Sequence, residues 1–143
     1  MDGASMLYKA VIATFILLGS GFPALAEGNL ASKPVDLPDL ILNSDLTVSR
    51  SEYTLETGKY YRLHISSDGE EEFAWMAPEL FRNSWVDQIV VNDLEVKSYG
   101  TYSLEFDDAG TFVLTFVPIR PGRYDFWVDG YENRGMKGAF MVN

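Results

Sequence analysis

The chain has 143 residues, enough for one domain, with 47% hydrophobic and 14% aromatic residues and no cysteine. That composition excludes a disordered acidic tail, and the missing thiols exclude disulfides, thiol catalysis, Cys-ligated zinc and every copper centre built on a thiolate. The formal charge of −10 repels phosphate backbones, which argues against nucleic acid and leaves basic proteins or cations as candidate partners, solubility alone being the plainer use.

Residues 1–26 read as a signal peptide. Lys9 supplies positive charge, 10–18 is almost wholly apolar, and Gly19, Gly21 and Pro23 break the run. Ala24-Leu25-Ala26 then places small residues where a signal peptidase inspects them, just before Glu27. The apolar run is too short to span a bilayer, so no membrane association is expected after cleavage, and the mature protein is expected in the periplasm. Met6 is a second candidate start beside Met1. Cleavage removes one Lys and one Asp and leaves the charge at −10.

Residues 27–39, with Pro34 and Pro38, read as a flexible leader or irregular first strand, and 40–143 as the folded domain. From there, short alternating runs separated by turn signals point to an all-β sandwich. Strands are expected at 46–48, 53–55 and 60–66, the last with Tyr61, Leu63 and Ile65 on one face and Tyr60, Arg62, His64 and Ser66 on the other. A further strand is expected at 72–76. The stretch 77–86 is the one that suits a helix, with Pro78 in its first turn and Leu80, Phe81 and Trp85 turned inward. Runs at 88–91, 102–106, 111–117, 123–128 and 138–142 complete the strands. Asp107 to Gly110 and Pro121-Gly122 both read as tight hairpin turns. Seven or eight short strands with one short helical insert make a Greek-key β-sandwich.

Two motifs near the end of the chain are distinctive: Pro121-Gly122-Arg123-Tyr124-Asp125-Phe126, and then Gly135-Met136-Lys137-Gly138 before a last strand. In that order they resemble the C-terminal hairpin of periplasmic cupredoxins, where a Pro-Gly-x-Tyr-x-Phe strand enters the copper loop and Gly-Met-x-Gly leaves it. The resemblance is strong over 111–143 and looser over 53–110, and it implies a cupredoxin-like Greek-key sandwich. Its blue copper site would need an upstream His, a loop Cys, a loop His and a loop Met. Carried across, the upstream His falls on Glu71 and the Cys on Val128, while the loop 128–136 is shorter than the common form and contains no His. Only Met136 keeps its place. Blue-copper electron transfer is thereby excluded, because it depends on a short copper–thiolate bond with two imidazoles.

Two readings of that end stay open. Glu71, Met136, Glu132 and His64, with Asp129 as a further helper, are candidate ligands for a different metal site, with copper the first candidate and iron the second. Alternatively Glu70 to Glu72 form a solvated turn and Met136 fills the core. His64, the only histidine, lies on the face opposite Leu63 and Ile65. The aromatics Phe73, Trp75, Trp85, Tyr124, Trp127 and Tyr131 are expected near the same end, where an apolar rim would serve as a docking patch. With no His pair, phosphate loop, nucleophile elbow or flanking carboxylate pair, no enzymatic activity is expected. The functional expectation is a periplasmic cupredoxin-like module that binds a periplasmic protein partner with a basic or apolar docking surface, accessory to a redox or transport system. A copper-handling protein is the alternative.

Overall fold

A computed structural model describes residues 33–143; the expected signal peptide 1–26 and the first part of the leader lie outside the described residues. Twelve strands build two sheets among those residues. The first sheet holds β1 (Val35–Asp36), β2 (Leu40–Asn43), β3 (Thr47–Val48), β5 (Tyr61–Ser67), β7 (Ser84–Val91), β8 (Leu94–Val96) and β10 (Gly110–Pro118), in the order β3-β2-β5-β10-β7-β8, with β1 also on β5. The second holds β4 (Glu52–Leu55), β6 (Phe73–Met76), β9 (Ser103–Phe106), β11 (Gly122–Val128) and β12 (Lys137–Val142), in the order β4-β12-β11-β6-β9. One helix, α1 (Pro78–Arg82), joins β6 to β7. Among the described residues no helix is long and apolar enough to cross a membrane.

Alternation on β5 places Tyr61, Leu63 and Ile65 in the core, and Arg62, His64 and Ser66 on the outer face, as the sequence pattern predicts. The opposing sheet answers with Trp75, Phe126 and Phe140, whose rings lie 5.4–6.5 Å apart in tilted and edge-on arrangements. Burying each such side chain contributes roughly 1.5–3 kcal/mol, and aromatic pairing adds about 1 kcal/mol. Trp75 Nε1 is enclosed there without a hydrogen-bond partner, so this packing also offsets the cost of one stranded donor.

Several expectations are corrected. The sheet begins inside the expected leader, because Val35 and Asp36 pair in parallel with Tyr61 and Arg62. The helix is a single short turn with Leu80 and Phe81 buried, and Trp85 is already in β7 and 45% exposed. Pairing of Trp85 with Val117 on β10 wins over the weak helical pattern. Neither Asp107 to Gly110 nor Pro121-Gly122 closes a hairpin: β9 pairs with β6, β10 with β5 and β7, and β11 with β12 and β6, so both turns arch between the sheets. A tight hairpin lies instead at Asn92-Asp93, both with positive φ (48° and 64°), joining β7 to the unanticipated β8.

Candidate functional site

The site expected from the sequence is built by the loop between β11 and β12. Val128 ends β11 fully buried, opposite Trp75, and its N–H donates to the carbonyl of Met136 (2.9 Å). The loop winds back on itself. Tyr131 N–H donates to Val128 O (2.9 Å), a 3-10 turn spans Glu132–Arg134, and Gly135 takes the left-handed conformation (φ 97°) that reverses the chain. Met136 N–H then returns to Tyr131 O (3.3 Å), and its side chain enters the core with no exposed surface. The ring of Tyr131 meets Phe73 edge-on at 5.6 Å, and Asp129 N–H donates to Ala74 O (2.9 Å). Both contacts seat the loop on the Phe73 end of β6. A thioether that fills an apolar gap explains Met136 in these surroundings.

Of the remaining expected ligands, His64 is kept from it by the sheet. His64 is half-buried on the outer face of its sheet, paired with Val113, with the sheet between it and Met136. Glu71 is exposed in the turn before β6, and Glu132 opens the 3-10 turn, half-exposed. Among the described residues no three of His, Asp and Glu are grouped so as to hold a metal ion. The physical reason is the pleat: a one-residue change of parity on β5 decides whether position 64 faces the core or the solvent.

The aromatic cluster is also divided. Phe73, Trp75 and Tyr124 are buried and Tyr131 and Trp127 half-buried, while Trp85 belongs to the α1 end. The expected apolar rim is absent from the loop 129–136, since the exposed large apolar side chains are Val35, Ile41, Trp85, Leu94, Val96, Tyr99, Tyr102 and Ile119. In its place is a shallow cleft of about 200 Å3 edged by Glu72, Glu105, Asp107 and Asp129. None of the four carboxylates joins an ion pair among the described residues.

A second polar constellation was not anticipated from the sequence. Pairing of β7 with β10 shifts register at Asp87, which falls between the pairs Gln88–Thr115 and Val86–Phe116 and forms a bulge. Tyr60 Oη donates to Asp87 Oδ2 (2.6 Å), Thr115 Oγ1 lies 3.4 Å from the same oxygen, and Lys97 Nζ donates to Oδ1 (3.2 Å) and to Gln88 Oε1 (2.6 Å). Burial pushes this carboxyl upward, but the hydrogen bonds from Tyr60 and Lys97 and the lysine charge outweigh it and hold the group below its ordinary value. Burial first, and then the bond to Asp87, raise Tyr60. The signal was a lone charge inside the apolar run Trp85-Val86-Asp87-Gln88-Ile89, hidden by reading its start as helix.

No protein-family model and no curated protein sequence matches the chain. Solved structures do. A multicopper oxidase from Campylobacter jejuni aligns over 78% of this chain with a TM-score of 0.55 at 10% identity, and the chain spans 30% of the oxidase's length. Auracyanin A, a "blue" copper protein from Chloroflexus aurantiacus, aligns over 78% of this chain and all of its own with a TM-score of 0.51 at 14% identity. Two sheets, their Greek-key connections and these neighbours give one result: the chain has the cupredoxin-like fold, and it has it without a cysteine.

Proposed function

We propose that the protein is a cupredoxin-like binding module without blue-copper electron transfer, exported to the periplasm and accessory to a redox or transport system there. The observation that supports this is Val128, fully enclosed at the position where the family's thiolate would stand and hydrogen-bonded to a buried Met136. An isopropyl group donates no electron pair, and neither Val128 nor Met136 has exposed surface. The end of the sandwich around them is acidic, so the partner surface that suits it is basic, with association that weakens as salt rises. Enzymatic chemistry is not part of this reading.

Two measurements on the exported protein test it. Loaded with Cu(II), the protein should show no intense band near ~600 nm, because that transition arises from thiolate-to-copper charge transfer. Titration with Cu(I) and Cu(II) should show no affinity tighter than about micromolar, roughly −8 kcal/mol. Tighter binding, weakened by Met136→Leu for Cu(I) or by Glu71→Gln for Cu(II), would replace this reading with a copper-handling one.

A further inference from the structure

At the Met76 end of β6, away from the loop 129–136, lies a larger groove of about 530 Å3 between α1, β7 and the segment 97–102. Its size falls in the range of ligand sites, roughly 300–1,000 Å3. Three aromatic rings stand exposed around it, Trp85, Tyr99 and Tyr102. Asp87 and Lys97 also line it, side by side at 3.2 Å. Asp87 is fixed there from behind by Tyr60, and Lys97 by Gln88. The bulge in β7 interrupts the ladder with β10 at the residue that carries the carboxylate, which is the usual means by which a strand re-aims one side chain.

We infer that this groove binds a neutral oligosaccharide. A pyranose ring has an apolar C–H face bordered by hydroxyls. Flat exposed rings offer the surface on which the C–H face stacks. Each hydroxyl both donates and accepts, and a carboxylate beside an ammonium supplies both partners within one contact. A proline-rich segment would also suit exposed aromatics, but it presents carbonyl acceptors without donors, so it could meet Lys97 and would offer Asp87 no donor beyond those it already has. An anionic sugar would face that same carboxylate. The groove and the loop 129–136 lie at opposite ends of β6, so the outcome here is separate from that of the proposed module role.

The test is calorimetric titration of the exported protein with cellohexaose, xylohexaose, mannohexaose, chitohexaose and a decaproline peptide, with tryptophan fluorescence followed in parallel. At least one hexasaccharide should saturate and perturb the fluorescence. Trp85→Ala and Asp87→Asn should each weaken it by about tenfold or more, while Trp85→Phe, which keeps a ring, should stay within about threefold. Thermal melts establish that the variants are folded; should Trp85→Ala not fold, Tyr102→Ala, at a more exposed position, takes its place. No saturation by any hexasaccharide at millimolar concentration overturns the inference. So does saturation by decaproline alone, or hexasaccharide binding that the substitutions leave unchanged.

Discussion

Val128 falls where the resemblance to cupredoxins would put a thiolate ligand, and in this structure its side chain contributes to packing. It is fully enclosed opposite Trp75, so Val128→Ala should cost about 1–3 kcal/mol in denaturant unfolding, through lost transfer energy and a residual cavity. Unchanged stability would place it outside the core. The motif residues around it have equally structural reasons. Tyr124 Oη donates to the carbonyl of Arg120 (2.9 Å), four residues upstream, and pins the turn into β11 as a tyrosine corner does in other sandwiches. Gly122 lies beneath that ring, where a Cβ would come within 3.1–3.2 Å of the tyrosine. Gly138 is the stricter case. A Cβ there would overlap the carbonyl of Ser51 and the ring of Phe126, and backbone does not yield cheaply. Gly138→Ala should therefore lower the melting temperature by several degrees and loosen β4 from β12, seen as faster amide exchange at Ala139, whose N–H donates to Ser51 O (2.9 Å).

Among the elements, β7 carries the most consequence, because its bulge sets Asp87 between Tyr60 and Lys97. The carboxyl is held below its ordinary value of 3.8. A depressed carboxylate stabilises the fold above its unfolded pKa, and that contribution is lost as pH falls through the lower folded value. Asp87→Asn should accordingly be less stable than the native protein at neutral pH, and the gap should narrow below about pH 4. Urea unfolding of both at neutral pH and at pH 3 checks this. A gap that stays constant with pH would mean that the charge of Asp87 contributes nothing. The β11–loop–β12 hairpin shows the same principle without charge, since its backbone hydrogen bonds close on themselves and direct Met136 inward.

Across the whole molecule, stability should follow the sheet order. Strand β10 is paired on both sides, with β5 and with β7, while β8 and β3 are edges. Native-state hydrogen exchange should find the slowest amides in β10 and β5 and the fastest among the strands in β8 and β3. Equal protection along β8 and β10 would contradict this topology. The acidic end around Glu72 and Asp129 and the aromatic groove at α1 are products of the same stacking, since each draws on segments far apart in the chain. The sequence by itself determined the β class, most strand positions, the inward face of β5 and the absence of a thiolate, because alternation, turn residues and composition are local properties. It also carried the C-terminal resemblance, through Gly122, Tyr124 and Gly138, each of which answers to a close contact in this structure. Only the tertiary structure decided that Asp107 to Gly110 cross between sheets, that Met136 is buried in the core, and that Trp85 belongs to a strand beside a groove. Strand partners and the register at a bulge depend on residues distant in sequence, and no local pattern encodes them.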